Sequence, residues 1–321
     1  MKCKKNVVIT GGAGFIGSHL IDRFITDDDI GKIYILDNLI RTGNYRNLDH
    51  ILVKSAPSIE FIHADVSTFD YSYFSGIIDE VYHLAATRIN RCSKFNREGH
   101  NYIADGGFNI VDFCYKKRAK LFFASSASVY NKPKRFPIEE TDLKNPHTIY
   151  GAGKLYTENL IQSYDQMYDF NYVINRFFSV YGIRMDCHGA YTEVIYNWLN
   201  HLIHKKNTPI IVYGDPHAKI LDLVYVSDVV DAIQLSMAQT NKEILNVSTE
   251  QGITLSKLIS IIKDVTGISF NIKIVDDNRT DIETKRVGST KKLRNLGWSQ
   301  QVKIEEGILK TWKWLYYGKQ S

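Results

Sequence analysis

The chain has 321 residues, 44% of them hydrophobic, and a formal net charge of +5, enough to bury one large core or two unequal ones. The basic excess lies in scattered pairs such as Lys116-Lys117 and Lys291-Lys292; this excludes a nucleic-acid footprint and leaves a mild attraction for phosphates. No apolar run reaches membrane-spanning length, Met1–Thr10 has no apolar leader core, and Cys3, Cys92, Cys114 and Cys187 show no metal spacing, so the expectation is a cytoplasmic protein with free thiols, no metal and no membrane contact.

The first apolar run, Asn6–Thr10, reads as a buried strand, and Gly11, Gly12, Gly14 and Gly17 follow it at the head of an amphipathic helix. In that setting Gly11 permits a tight turn, Gly14 lets backbone amides reach a pyrophosphate, and Gly17 lets the helix pack on the sheet. A second strand, Ile33–Asp37, ends in an acid about twenty residues on, where a carboxylate binds the adenosine ribose. Asp37 accepts hydrogen bonds from a ribose diol and repels a phosphate there, which favours NAD; Arg41, four residues on, is the argument for NADP.

Further strands are expected at Ile59–His63, Val81–Ala85, Leu121–Ser126 and Tyr172–Phe177, with helices over Gly106–Lys117 and Gly153–Asp169 between them. Near-continuous apolar strands separated by helices argue for an α/β fold, a doubly wound parallel sheet covered on both faces. After about Ser179 the alternation loosens into a smaller mixed lobe. The expected division is a cofactor-binding domain over 1–178 and a mainly substrate-binding domain over 179–321, with some segments returning to the first. The ligand is expected at the carboxyl ends of the strands, in the crevice between the two.

Tyr150 and Lys154 stand four apart at the start of a helical segment and share a face. A free tyrosine titrates near pH 10 and is a poor base at neutrality. A neighbouring ammonium favours the phenolate. Other candidates read as structural: His83 and His147 as core or rim residues, Glu139-Glu140 as a solvated turn, Asp27–Asp29 as a helix end, and the segment 311–318 as an amphipathic helix with core aromatics.

The ordered motifs TGGAGFIGSHL, LDNL, HADV, HLAA, SSASVY, YGAGK, RFFSVYG and LVYVSDVVDA run from Thr10 to Ala232. In this order the chain resembles the extended short-chain dehydrogenase/reductases that act on nucleotide sugars, enzymes with a Rossmann-type sheet and a smaller substrate lobe. The resemblance implies NAD contacts from Gly11, Gly14, Phe15, Ile16, Gly17, Asp37 and Asn38, adenine contacts from Asp65 and Val66, and a cofactor cleft lined by Leu84, Ala85 and Ala86. It implies that Tyr150 is the base, that Lys154 also holds the nicotinamide ribose, and that Ser126 orients the reacting hydroxyl. Ser128, Ser179, Arg184 and Arg279 become candidate substrate contacts. Arg176 has two readings, a phosphate contact or a structural ion-pair partner. By the same resemblance, Gly106–Lys116 and Leu155–Met167 form a four-helix interface in a homodimer.

Three positions depart from the family pattern. Leu221 replaces a diphosphate-binding arginine, Asp281-Ile282 replaces the Gly-Asp that follows the later arginine, and Ile103 replaces an asparagine. They leave the nucleotide base open among UDP, the family's commonest, GDP and CDP. After the catalytic serine stand Ala127 and Ser128, where dehydratases carry Asp-Glu and decarboxylases commonly carry a glutamate. Neither residue is an effective proton-transfer group at neutral pH. The expected activity is nucleotide-sugar 4-epimerisation by transient oxidation at carbon 4. A net dehydrogenase or 4-ketosugar reductase with the same site residues is the alternative, and a redox-reading binding protein is a third class, disfavoured by the intact serine, tyrosine and lysine.

Overall fold

A computed structural model describes residues 4–40, 44–52, 58–87, 92, 94–130, 133, 135–185, 194–205, 208–276 and 285–318. The strands in chain order are β1 (Lys5–Thr10), β2 (Ile30–Asp37), β3 (Ile59–His63), β4 (Glu80–His83), β5 (Lys120–Ser126), β6 (Tyr172–Phe177), β7 (Ser179–Tyr181), β8 (Ile210–Tyr213), β9 (Ile220–Tyr225), β10 (Glu243–Val247), β11 (Gly252–Thr254), β12 (Ile272–Val275) and β13 (Lys285–Arg286). The longer helices are α1 (Phe15–Phe24), α2 (Gly106–Lys117), α3 (Ile149–Tyr168), α4 (Val194–His204), α5 (Val226–Gln239), α6 (Leu255–Thr266) and α7 (Ile304–Tyr317). Two compact units result: residues 1–131, 143–176 and 230–245 form the first, and 132–142, 177–229 and 246–321 form the second.

The first unit is built on a seven-stranded parallel sheet in the order β10-β6-β5-β4-β1-β2-β3. Strand β6 is buried at every position and β1 at its last four, the pattern of strands covered on both faces. The chain leaves β1 toward β2 and β3 and later returns to β4 on the other side of β1. The order therefore reverses between β1 and β4, and the crevice at their carboxyl ends is where such sheets take ligands.

Strand β4 ends at His83, two residues before the expected Ala85. A Cβ on Gly11 would lie 2.7 Å from the amide nitrogen of Ala85. The segment after β4 thus passes close against the glycine loop. Leu84 still donates its N–H to Thr10 O at 3.1 Å, and Ala85 donates to Thr10 Oγ1 at 3.3 Å.

In the second unit β9 is the organising strand. It pairs antiparallel with β11 and parallel with β13 and β7, while β8 and β12 form a separate parallel pair. Asp222 on β9 is fully buried and accepts N–H bonds from Thr249 at 2.7 Å, Glu250 at 3.0 Å and Gly288 at 3.3 Å, plus the Thr249 hydroxyl at 2.6 Å. One carboxylate thus joins three segments distant in sequence, each hydrogen bond assisted by its charge.

Several sequence expectations change in detail. Glu140 is not a solvated turn residue: its Oε1 accepts the Asn246 N–H at 2.8 Å. Helix α7 does form over the expected aromatic segment, but Gly307, Ile308, Thr311 and Leu315 face the core. Trp312 and Trp314 are only partly buried and Tyr317 is exposed. Asp27–Asp29 lie beyond the end of α1 and lead into β2. Cys92 and Cys114 are buried; Cys3 and Cys187 lie outside the described residues.

Candidate active site

The glycine loop is a cradle made by steric necessity. Gly11 has φ +69°, a conformation that glycine adopts at little cost. A Cβ on Gly14 would lie 2.9 Å, and one on Gly17 2.3 Å, from the carbonyl oxygen of Gly11. Both contacts are with backbone, so no side-chain rotation relieves them. Gly14 is the N-cap of α1 and makes no side-chain capping bond, and the first turn contains no acid. The amide groups and positive end of the helix are therefore available to an anion. Phe15 and Ile16, half-buried, open that turn.

Asp37 ends β2 and is buried. Its Oδ2 accepts the Ala13 N–H at 3.0 Å and its Oδ1 accepts the Leu39 N–H at 2.9 Å. The residue thus fixes the glycine loop as well as standing where the ribose is expected. Asn38 donates to Asp65 Oδ2 at 3.0 Å, so two residues expected on the cofactor are joined to each other. Val66 packs beneath α2, where a Cβ on Gly106 would lie 2.7 Å from its Cγ2. Bare backbone turns, an uncapped helix start and an acid at the end of β2 fit a dinucleotide. Arg41 lies outside the described residues, and the case for NADP has no geometry here.

His83 ends β4 beneath this loop. Its Nδ1 is 2.7 Å from Thr10 Oγ1, and its ring stacks on Phe123 at 5.8 Å. Burial, reinforced by the Lys154 ammonium, pushes its pKa down to about 3, so it is neutral at physiological pH. It is a core residue, one of its two expected readings. An unfolded histidine takes up a proton below about pH 6.5, and folded His83 refuses one until about pH 3. The unfolded chain therefore binds more protons in that window, and stability is lost as pH falls through it, by up to a few kcal/mol. His83→Gln should flatten this acid slope in thermal melts between pH 4 and 7; parallel curves for variant and parent would contradict it.

Ser126, Tyr150 and Lys154 all lie in the first unit. Ser126 is half-buried at the end of β5 and N-caps the short 3-10 turn Ala127–Val129. Its Oγ accepts the Ser128 N–H at 3.1 Å and stands 3.1 Å from Ser128 Oγ. Ser128 itself is only 2% exposed; its hydroxyl faces Ser126. Tyr150 and Lys154 come from the first turns of α3, which Thr148 caps by accepting the Gly151 N–H at 3.0 Å. Lys154 is 2% exposed and donates to Ala124 O at 2.7 Å. Its Nζ lies 4.8 Å from the Phe123 ring centre and 5.9 Å from that of Tyr150. Burial pulls its pKa down to about 7, and interactions with Cys92 and Glu158 oppose that shift.

The start of α3 fits its surroundings only through glycines. A Cβ on Gly151 would lie 2.3 Å from Ser128 O, and one on Gly153 would lie 2.8 Å from Ile103 Cγ2. Ile103, where the family pattern has asparagine, occupies a single turn of π-helix, Asn101–Asp105, that leads into α2. Gly151→Ala should push the turn bearing Tyr150 off the turn bearing Ser126. Displacements of about 1 Å cost roughly a hundredfold in rate. Steady-state turnover within threefold of the parent would show that the contact is not needed.

Arg176 resolves into its structural reading. It is 1% exposed on β6, and its Nη2 and Nε reach Glu158 Oε2 at 2.6 Å and Oε1 at 3.0 Å. Its Nη1 donates to Tyr130 Oη at 2.7 Å, and Ser125 donates its hydroxyl to Glu158 Oε1. The sequence reading passed over Glu158. Its signal was a carboxylate one turn after Lys154 on the same face, with an arginine inside an apolar strand to answer it.

Of the remaining expected contacts, Ser179 and Arg184 lie in the second unit. Ser179 opens β7, half-buried. Arg184 follows that strand with φ +59°. Leu221 stands opposite Arg286 in the β9–β13 ladder. Arg279 lies outside the described residues.

The model of the NAD dependent epimerase/dehydratase family matches residues 7–248. A Methanocaldococcus jannaschii protein, provisionally named a UDP-glucose 4-epimerase, is 33% identical over 317 residues, spanning 96% of this chain and 98% of that protein. The solved UDP-N-acetylglucosamine 4-epimerase of Methanobrevibacter ruminantium, in complex with UDP-N-acetylmuramic acid, superposes with a TM-score of 0.90 at 27% identity, over 99% of this chain and 100% of that one. The Thermus thermophilus UDP-glucose 4-epimerase in complex with NAD gives a TM-score of 0.83 at 27% identity, over 97% and 98% of the two chains. The glycine cradle, the acid that closes β2 and these likenesses agree, and the chain belongs to the NAD dependent epimerase/dehydratase family as an NAD-dependent enzyme.

Proposed function

We propose that the protein is a nucleotide-sugar 4-epimerase that works on a UDP-sugar. The observation that carries this reading is that the turn of α3 bearing Tyr150 and Lys154 seats Gly151 against Ser128, the hydroxyl partner of Ser126, with Ala127 and Ser128 both buried where an eliminating enzyme needs an acid and a base. Both epimerase structures cited above are of UDP-sugar enzymes, which favours UDP over GDP and CDP.

The glycine loop and Asp37 would hold NAD, which would supply a reversible hydride acceptor. The chain does the rest. Tyr150 takes the proton of the C4 hydroxyl, and Lys154 supports the phenolate electrostatically. Ser126 exchanges its bond to Ser128 for one to the reacting oxygen and steadies the charge that develops there. On return, Tyr150 gives the proton back to the carbonyl oxygen. Ser179, Arg184 and Arg279 serve as substrate contacts.

The protein is proposed to act as a homodimer. On α2 and α3, Phe108, Tyr115, Tyr156, Met167 and Tyr168 are exposed by between 39% and 67%, more apolar surface than a monomer's helices ordinarily show to water. Among the described residues, no helix is long and apolar enough to cross a membrane.

Incubation with a panel of UDP-sugars, read by NMR and mass spectrometry, tests the activity. The expected product is a C4 epimer of unchanged mass. A product about two mass units lighter with free NADH accumulating would make the enzyme a dehydrogenase, and a loss of about eighteen would reveal an acid–base pair elsewhere.

A further inference from the structure

The Ser125–Glu158–Arg176–Tyr130 network lies directly beneath the three reacting side chains. Ser125 adjoins Ser126, Glu158 is one turn beyond Lys154, and Tyr130 ends the turn that follows Ser126. All four members are 3% exposed or less. A buried ion pair of this kind is costly to desolvate, and apolar residues of similar volume often serve stability as well. Its position suggests a second use.

We propose that Glu158 and Arg176 are positioning residues of the active site: they clamp α3 to β5 and β6, and they set a buried carboxylate one helical turn beyond Lys154, on the helix that carries Tyr150. The inference rests on the reading that Ser126, Tyr150 and Lys154 carry the reaction. The groups around Lys154 bear it out by their charge. From β4 comes His83, which is neutral. Cys92 is pushed up to about 11 by burial and is a neutral thiol at pH 7. From β5 come the Phe123 ring and the Ala124 carbonyl. On β6, Arg176 engages Glu158 through two nitrogens. Cys92 and Glu158 both oppose the effect of burial on Lys154, and of these two groups Glu158 is the carboxylate.

The test is Glu158→Gln, with Glu158→Gln/Arg176→Met as the variant that avoids an unpaired buried guanidinium. Tyrosinate absorbance, taken as the difference from Tyr150→Phe in the same background, reads the Tyr150 titration without any substrate. Loss of the Glu158 charge lets Lys154 deprotonate more readily and weakens its support of the phenolate. Both variants should therefore raise the apparent Tyr150 pKa by about one unit. On the sugar substrate, kcat should fall about ten- to a hundredfold with KM within threefold, and the acid limb of the pH profile should move up in step. A folded double variant with the parent's titration curve and kcat would reduce the pair to a structural role. An enzyme inactive on every nucleotide sugar, yet with the titration shifted, would sink the epimerase reading and leave the positioning role standing.

Discussion

Tyr150→Phe is expected to lower turnover roughly a hundred- to ten-thousandfold, the range for removing a general acid–base group. The ring is half-buried in the first turn of α3, and that turn is held independently by the Thr148 cap and by the close seat of Gly151 on Ser128. Phenylalanine keeps the ring and removes only the ionisable oxygen. Thermal stability and NAD affinity should therefore stay near the parent's, while kcat collapses. Calorimetry with NAD beside single-turnover kinetics checks both halves. A variant with near-parental turnover would remove Tyr150 from the chemistry.

Gly17→Ala should act on the opposite half of the site. The added Cβ would lie 2.3 Å from Gly11 O and 2.8 Å from Gly12 Cα. Both atoms are backbone, so either the loop or the start of α1 must move. The amides meant for the pyrophosphate move with them. Loss of one or two charge-assisted hydrogen bonds, at about 1.5–3 kcal/mol each, weakens binding at least tenfold. NAD titration should show that loss, with a parental far-UV spectrum to exclude global unfolding. Unchanged affinity would mean that the pyrophosphate does not lie over this loop.

Most of the sheet was legible because its central strands are largely buried and write themselves as apolar runs: all six strands expected in the first unit form. The cofactor loop was legible because glycine is demanded there by backbone contacts, and such demands leave fixed spacings. Less could be read where polar groups serve the interior. Glu140 looked like a solvated turn because its partner, the Asn246 amide, lies more than a hundred residues away. Glu158 and Arg176 are far apart in the chain's local grammar and meet only after β6 docks beside β5. Strand β9 and helix α5 abut with no loop between Tyr225 and Val226, so LVYVSDVVDA showed a family motif more clearly than a change of element. Ile103 was legible as a departure, but its complement, the missing side chain at Gly153, needed the packing of α3 on the π-turn to be seen.

In the proposed reaction a hydride leaves carbon 4 and comes back to it. A UDP-hexose deuterated at C4 tests this directly, in ordinary water, with the product examined by NMR. The epimer is expected to retain the label at C4, and turnover to show a primary isotope effect on the labelled sugar. An epimer whose label has been replaced by solvent hydrogen would mean that the carbon is deprotonated instead, and would contradict the roles assigned to Ser126, Tyr150 and Lys154 together.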